Sequence, residues 1–560
     1  MSRNSITCIL AVCSCLFAAC ETGEPDASAY VANKQAPAIA PALPATEVAN
    51  AASDGPLTSQ EAYRLLDQGT FGPTLQDVAE ASELGPESWI NQQMLLPATF
   101  LSEGLQRANI DRWNEYVNVW WRHAIESEDQ LRQRVAFALS QILVVSAAGG
   151  LNDEQMGLAN YYDILLRHAF GNYRDLLFAV TTNPVMGEYL SMKGNQKPNL
   201  EQNIQPDENY ARELLQLFSI GQVLLNNDGT PKVGSDGVPI PAYDQNDIEA
   251  YARVFTGWQF ANSDNFHWPS NPDYLSPMQP FEEFHDTEAK TLLSGQTTTA
   301  EVDALTELNQ ALDSIFYHPN VGPFISRLLI QRLVTSNPSP GYVSDVASVF
   351  NQNQAGERGS LASTVKAILM HNEARNGHFL EPETFGKLKE PLLRMTHLWR
   401  AFKPEAFPPD FNYGWAANDL AQAPLNSPSV FNFYRPDYSH PGEISNRGLV
   451  APELQIHNET SIISMTNRLL AASIWSHNFR EDPAANQIII DISREMQLEQ
   501  DPLALIDHLD LLLLGGRMSS ELHQQIVELM HARNHENGAP LRVSEAIFLI
   551  VSSPEAAVQQ

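Results

Sequence analysis

Apolar residues recur at helical spacing along most of the chain, and the segment 206–221 shows this pattern most completely. Four apolar residues of this segment fall on one face of a helix, namely Ala211, Leu214, Leu215 and Phe218. Asp207 is a suitable N-cap, and Gly221 is a suitable stop. The pattern therefore predicts a helix over 207–220 with one buried face.

The same periodicity predicts helices in the rest of the chain, beginning at a capping box formed by Thr58 and Glu61. Thr74 is predicted to cap a second helix. The further predicted helices span 129–145, 161–170, 173–180, 246–257, 301–317, 320–335, 341–351, 360–372, 459–475, 502–513, 519–532 and 542–552. The basic stretch 387–394 is predicted to be a solvated helix start.

No stretch alternates apolar and polar residues regularly enough to predict a strand. Residues 226–242 are rich in Gly, Asp and Pro, which predicts a hairpin or an exposed loop. Residues 403–450 are irregular and rich in Pro and aromatic residues. We therefore expect a mainly α protein, a large multi-helix domain with long irregular loops and few or no strands.

The first twenty residues have the pattern of a secretory signal, with Arg3 followed by an apolar run. The run ends in Ala18-Ala19-Cys20, which resembles a bacterial lipoprotein cleavage box. We expect 1–19 to be removed as a lipoprotein signal peptide and Cys20 to carry acyl chains such as palmitate. An ordinary cleaved signal is the alternative. Residues 20–55 then form the lipidated Cys and a disordered Ala/Pro-rich tether, and 56–560 form the helical domain.

All four cysteines lie in the first twenty residues. If Cys20 is lipidated, the body of the protein has no disulfide, no thiolate metal site and no cysteine nucleophile. It also carries no haem attachment motif. No later apolar run reaches the roughly 18–20 residues that a membrane-spanning helix needs. We therefore expect an exported body that reaches the membrane through its lipid anchor.

The charge is strongly acidic, with 34 Lys and Arg against 67 Asp and Glu and a formal net charge of -33. This balance argues against nucleic acid as a partner, because no cationic surface is supplied for phosphates. It also argues against electrostatic binding to anionic lipid. Neutral or cationic ligands and divalent cations remain compatible with it.

Two predicted helices carry a Glu four residues before an Arg, as Glu208/Arg212 and Glu249/Arg253. We expect these helices to pack side by side, with both pairs meeting at one cleft that His285-Asp286 closes. If Arg212 is buried there, Arg212→Ala should destabilise the fold strongly.

The candidate site residues fall into two groups. Carboxylates in different environments and a His beside a carboxylate could act as acid and base, and the candidates are Glu208, Glu213, His285 and Asp286. The candidate binding residues are Asn209, Arg212, Asp247, Glu249, Arg253, Trp258 and Lys290. The alternative is that these residues form structural ion pairs and helix caps. The metal is unknown, although the carboxylates are compatible with a divalent cation.

Several blocks, in this order, resemble the bacterial domain of unknown function 1800 family. They are 68–74 (Gln-Gly-Thr-Phe-Gly-Pro-Thr), 165–177 around Phe-Gly-Asn-Tyr, 209–215 (Asn-Tyr-Ala-Arg-Glu-Leu-Leu), 252–258 (Ala-Arg-Val-Phe-Thr-Gly-Trp), and His285-Asp286 followed by Lys290. The resemblance implies a large, mostly helical, exported bacterial protein. It also implies frequent gene neighbourhood with an exported sulfatase-like protein, of the domain of unknown function 1501 family. It implies no settled activity.

The sequence departs from this family on the predicted helix 129–145. Many members carry a segment similar to Trp-His-Asn-His-Phe there, whereas this chain reads Leu-Ser-Gln-Ile-Leu at 139–143. Any metal binding or proton transfer by those histidines is therefore missing here or is done differently.

Two functional hypotheses follow. The first is a surface-tethered hydrolase or lyase that acts on an extracellular polymer such as a polysaccharide. The second is a non-catalytic envelope protein that binds or assembles with a co-exported protein. The sulfatase-like protein implied by the resemblance is a candidate for that partner. Residue 21 is Glu rather than the Asp that retains some lipoproteins in the inner membrane, so we expect the outer membrane.

The lipid anchor is tested by Cys20→Ala. This change should move the protein to the soluble fraction or leave the precursor uncut, because the acylated thiol is removed. Fractionation followed by immunoblotting measures the result, with Cys8→Ala in the signal segment as the control. Unchanged membrane association of Cys20→Ala would rule out the anchor.

Overall fold

The computed structural model describes residues 55–108, 112–404, 407–413, 416–475, 487–532 and 538–560. The predicted signal peptide, Cys20 and nearly all of the tether lie outside these described residues. The described residues are mainly helical, which confirms the predicted fold class.

The first half of the domain is built from short and medium helices. They are α1 (Ser59–Gly69), α2 (Leu75–Leu84), α3 (Pro86–Leu95), α4 (Leu101–Arg107), α5 (Glu115–Glu126), α6 (Gln130–Ser140), α7 (Gln155–His168), α8 (Tyr173–Thr181), α9 (Pro184–Tyr189), α10 (Asn209–Gln216), α11 (Gln245–Val254) and α12 (Ala304–Phe316). The predicted capping boxes are confirmed, because the side chains of Thr58 and Thr74 accept from the backbone N–H groups of Glu61 and Asp77.

The second half continues the same architecture. Its helices are α13 (Val321–Leu333), α14 (Pro340–Asn351), α15 (Leu361–Met370), α16 (Asn372–Leu380), α17 (Pro391–Ala401), α18 (Ala416–Leu420), α19 (Glu443–Asn446), α20 (Glu459–Leu470), α21 (Ser493–Leu498), α22 (Pro502–Leu514), α23 (Ser520–Ala532), α24 (Gly538–Ser552) and α25 (Pro554–Ala557). A π-helical turn, Ala471–Trp475, extends α20, and 3₁₀ turns lie at Glu282–Phe284, Leu293–Gly295 and Pro452–Gln455.

The strands form two antiparallel pairs of two residues each. β1 (Trp258–Gln259) pairs with β2 (Gln279–Pro280), with Trp258 opposite Pro280. β3 (Lys387–Leu388) pairs with β4 (Val558–Gln559), with Lys387 opposite Gln559. The excursion 226–242 folds back through isolated bridges, as the hairpin prediction required.

Two helices are shorter than their periodicity predicts. The helix predicted over 129–145 ends at Ser140, and the one predicted over 207–220 spans Asn209–Gln216. In both cases the chain leaves the helix while its apolar side chains remain buried, so burial continues past the last helical turn. The predicted stop Gly221 does have the left-handed backbone (φ 72°) that favours glycine.

A continuous aromatic cluster fixes the segment 407–413 against α5. Trp121 of α5 stacks on Tyr413 with ring centroids 5.2 Å apart, and it meets Trp399 of α17 edge-on at 5.4 Å. The backbone N–H of Tyr413 also donates to Asn118 of α5 at 3.2 Å. These contacts hold two segments together that are far apart in sequence.

The stretch 387–394 is not a solvated helix start, so that prediction is wrong. Lys387, Lys389 and Glu390 are all buried. The Nζ atom of Lys389 lies 2.6 Å from Asp67 of α1. The Nζ atom of Lys387 lies 3.0 Å from Oε1 of Glu453 and 3.8 Å from Oε1 of Glu390. Charges placed inside a protein need such partners, and helices from distant parts of the chain supply them here.

Glu390 is the centre of this buried charge cluster. Its Oε2 accepts hydrogen bonds from Gln141, at 2.6 Å, and from Gln422. Burial raises the pKa of the Glu390 carboxyl, but the charges of Lys387 and Arg134 outweigh burial and hold it below its usual range. Glu390 therefore stays charged inside the fold, surrounded by the amides of Gln141 and Gln422 and the cations Lys387 and Arg134.

Removing one cation from this cluster should be costly. Lys387→Met leaves the carboxylates of Glu390 and Glu453 without their ammonium partner, and we expect a loss of about 3–5 kcal/mol of stability. Thermal and denaturant unfolding measure the loss. Lys403→Met, at an exposed position, is the matched control and should change stability by less than about 0.5 kcal/mol.

The pH dependence provides a second test of the cluster. Because the pKa of Glu390 is lower in the folded state, its pairing stabilises the protein above the unfolded-state pKa and is lost as the pH falls through the folded-state value. Wild type should therefore lose stability on acidification more steeply than Lys387→Met. If stability fell equally steeply with pH in both proteins, or if Lys387→Met left the melting point unchanged, the cluster would not be stabilising.

Candidate functional site

Helices α10 and α11 pack against each other, as predicted, and their first turns share a polar set. Arg212 lies 2.8 Å from Oε2 of Glu208. The amide of Gln245 donates to both oxygens of Glu208 at 3.0 Å and to Glu249 at 3.2 Å. The Glu208/Arg212 pair is partly exposed, with 33% and 41% of the side chains accessible. Solvent therefore screens this pair, and its contribution to stability is small.

The expected pair Glu249/Arg253 is not formed. Arg253 instead binds Asp286 through two nitrogens, at 2.6 and 3.1 Å, and reaches Glu288 at 2.7 Å. A guanidinium prefers this two-point contact with one carboxylate to a single contact along its own helix. Arg253 therefore ties the end of α11 to the segment that follows β2.

His285 and Lys290 are buried in an ion cluster with Glu307 of α12. The Nζ atom of Lys290 lies 2.9 and 2.7 Å from the two oxygens of Glu307 and also donates to the carbonyl of Asp286. His285 donates from Nδ1 to the carbonyl of Thr256 at 3.0 Å. Its Nε2 lies 3.2 Å from Oε2 of Glu307, without the alignment of a hydrogen bond.

The cluster of His285, Lys290 and Asp286 is buried away from solvent. The side chains of His285 and Lys290 are 0% exposed, and that of Asp286 is 6% exposed. At Gly257 a Cβ atom would meet the backbone N of His285 at 2.9 Å, so the two segments approach too closely for any other residue. The predicted cleft is therefore not closed by His285-Asp286, because this segment packs into the protein interior.

Three other candidate residues have evident structural contacts. Asp247 completes a capping box with Asp244 at the start of α11. The backbone N–H of Asn209 donates to Asp207 at 2.8 Å. The N-cap of α10 is nevertheless Glu208, with no side-chain cap hydrogen bond, so the prediction that Asp207 is the N-cap is wrong by one residue. Trp258 is 1% exposed within β1. The catalytic and binding roles assigned to the whole set remain predictions.

Glu213 differs from the other candidates because its carboxyl group has little to pair with. The residue is 8% exposed, and among the described residues its Oε2 has no hydrogen-bond partner. Burial raises the pKa of Glu213, which the nearby charge of Arg212 only partly offsets. Two half-buried phenols, Tyr189 and Tyr243, lie close enough for the charge of Glu213 to raise the pKa of each further.

Two clefts lie elsewhere, both lined in part by α5. The larger, of about 560 Å³, is lined by Arg107, Arg112, Arg122 and His123 and by Phe407 and Phe411. The smaller, of about 210 Å³, is lined by Trp113 and by several asparagines, including Asn114, Asn412, Asn418 and Asn426. The residues lining both clefts were missed by sequence reasoning. Their two walls are distant in sequence, since Arg112 and Phe411 are 299 residues apart.

The described residues contain no group of three or more His, Cys, Asp or Glu side chains arranged to hold a metal ion. A divalent cation bound by carboxylates is therefore still only a prediction. No helix among the described residues is long and apolar enough to cross a membrane.

The fold and these side chains define a large, mainly α-helical protein with buried ion clusters and an acidic surface. The chain belongs to the family described as "Protein of unknown function (DUF1800)", whose model matches residues 64–558. The match covers nearly the whole chain and confirms the resemblance carried by the sequence motifs. No significant match was found among curated proteins or among solved structures.

The segment 139–143, where the sequence departs from the family pattern, spans the end of α6 and the residues that follow it. Its apolar residues Leu139, Ile142 and Leu143 are buried, and Gln141 donates to Glu390. This chain therefore uses the segment to close its core and to hold the buried charge cluster.

The two arginines of the candidate site should differ in their effect on stability. Arg253→Ala removes a two-point contact from a nearly buried carboxylate and should cost about 2 kcal/mol. Arg212→Ala removes a partly exposed pair and should cost at most about 1 kcal/mol, so the strong effect expected for a buried Arg212 does not apply. Melting curves of both variants provide the comparison. An equal or larger loss in Arg212→Ala would contradict the observed burial.

Proposed function

We propose that the protein is a surface-tethered hydrolase or lyase that acts on an extracellular polymer such as a polysaccharide. The observation that carries this proposal is the carboxyl group of Glu213. It is buried, Arg212 is the charged group that acts on it, and one of its oxygens has no partner among the described residues. An acid of this kind suits proton donation, because burial favours the neutral form.

The second carboxylate has a different environment. Glu208 is partly exposed and is held by Arg212 and Gln245. In hydrolysis, Glu213 would protonate the leaving glycosidic oxygen while Glu208 assists the attacking water. In a lyase, Glu208 would remove a proton beside a carboxylate of the substrate and Glu213 would protonate the leaving oxygen. Carboxyl groups in contrasting environments are the usual basis for such a division of roles.

Sequence features support an activity at the cell envelope. The lipoprotein signal and Cys20 support export and a lipid anchor, with the outer membrane as the expected location. The family resemblance supports a co-exported sulfatase-like protein as partner. A sulfatase and a polymer-cleaving enzyme would act on the same acidic polysaccharide.

The second candidate function is a non-catalytic envelope binding or assembly protein. It is favoured by the positions of His285, Asp286, Lys290 and Arg253, whose polar atoms are engaged in contacts inside the protein. Polar groups that form internal ion pairs are not available to act on a substrate. The two functions are separated by the variant described next.

Glu213→Gln should abolish polymer cleavage while the protein remains folded. The loss should be about 10²–10⁴-fold, the usual contribution of a general acid or base. The folded-state pKa of Glu213 is raised, so its neutral form stabilises the protein at low pH and this contribution is lost as the pH rises. The neutral Gln should therefore melt at or slightly above wild type near pH 7.

Reducing-end release from a panel of acidic and neutral polysaccharides measures the activity, and melting curves accompany it. Glu288→Gln, at an 82% exposed side chain, is the matched control and should keep full activity. Early melting with retained activity would make Glu213 structural. Absence of cleavage by wild type would leave the binding and assembly function.

A further inference from the structure

We propose that the two clefts beside α5 form one groove that binds an acidic oligosaccharide segment. This inference rests on the proposed function for the class of polymer, and it adds the place where the polymer is held. The clefts, of about 560 and 210 Å³, adjoin along α5 and share Asn118 in their linings. Their combined lining offers aromatic rings, amides and guanidinium groups.

The smaller cleft has the side chains that recognise sugar rings. Trp113 is 58% exposed, and an indole ring is an apolar surface on which the C–H groups of a sugar can stack. Amide groups beside it, from Asn114, Asn418 and Asn426, can both donate to and accept from hydroxyls.

Asn114 contributes an unpaired acceptor to this part of the groove. Its Oδ1 atom is buried, and within the described part of the chain it has no hydrogen-bond partner. Its backbone is in the left-handed region, with φ 56°, which Asn adopts more readily than most residues. An acceptor left unpaired in a cleft wall costs free energy unless a ligand or water donates to it.

The larger cleft supplies the charge that an acidic sugar requires. Arg122 is held over the ring of Phe407 at 4.5 Å and donates to the carbonyl of Pro408 at 3.3 Å. Arg112 donates to the carbonyl of Phe411 at 3.2 Å and reaches Glu115 and Asp410 only at 3.5 Å. Guanidinium groups fixed in this way are oriented before a ligand arrives.

Arg107 and His123 complete the larger cleft. Arg107 is exposed and makes no ion pair with a described residue. Burial lowers the pKa of His123 to about 4, so the ring is neutral at pH 7, and its Nδ1 has no partner in the described residues. The same cleft is also lined by the carboxylates of Glu115, Glu126 and Asp410, and Arg112 pairs with two of them. Arg107 and Arg122 make no ion pair with a described residue, so their guanidinium groups are the ones offered to an acidic ligand. A carboxylate or sulfate on a sugar is the group that a guanidinium binds at two points.

Binding is tested with the full-length protein in detergent micelles. The probes are an oligogalacturonate and a neutral xylo-oligosaccharide of equal length, titrated by calorimetry. We expect the acidic probe to bind more tightly. Trp113→Ala should lower the affinity for both probes about tenfold, because ring stacking is lost. Arg107→Gln should reduce the preference for the acidic probe and leave the neutral probe unchanged.

Trp268→Ala is the matched control, because Trp268 is 83% exposed and lines neither cleft. It should bind both probes as wild type does. Equal affinity of Trp113→Ala and wild type, or no binding of either probe by wild type, would overturn the groove.

The two proposals fail in different ways. Glu213→Gln should bind both probes with unchanged affinity, because Glu213 does not line the clefts. If wild type binds the probes but cleaves no polymer, the groove is supported and the hydrolase or lyase proposal is contradicted. If Trp113→Ala cleaves polymer with an unchanged KM, the enzyme is supported and the groove proposal is contradicted.

Discussion

The pairing of charges inside the protein is the constraint on which the rest of the structure depends. A charged group that leaves water must find a partner, since unpaired burial costs several kcal/mol. Two clusters satisfy this requirement, one around Glu390 and one around Glu307. Each draws its members from distant parts of the chain, as when Gln141 and Gln422 meet on Glu390. The helices between these residues are thereby held in one arrangement.

The same constraint decides which polar groups are available for function. Lys290 and His285 are enclosed with Glu307, and Arg253 is engaged with Asp286, so these groups connect α11 to α12 and the loop between them. One carboxyl oxygen of Glu213, Oε2, has no hydrogen-bond partner among the described residues. At α5, Arg122 is held by a backbone carbonyl, whereas Arg112 is held by a carbonyl and by weak ion pairs with Glu115 and Asp410. Candidate chemistry therefore lies where internal pairing is incomplete.

Local patterns in the sequence were sufficient to predict part of the candidate site. The spacing of Glu208 and Arg212 predicted their ion pair, and periodicity predicted that α10 and α11 present buried faces to one another. The spacing of Glu249 and Arg253 was misleading, because Asp286 offers Arg253 a two-point contact that no pattern along one helix can reveal. The groove at α5 was not predictable, since one of its walls comes from 407–426.

The sequence by itself determined the helical class, the caps at Thr58 and Thr74, and the family, because these depend on neighbours within a few residues or on motifs read in order. Only the tertiary structure decided which charged residues are buried. Lys387 and Glu390 have the composition of a solvated helix start, yet they lie in the core. The physical reason is that burial depends on partners such as Glu453 and Arg134, which chain folding brings from far away in sequence.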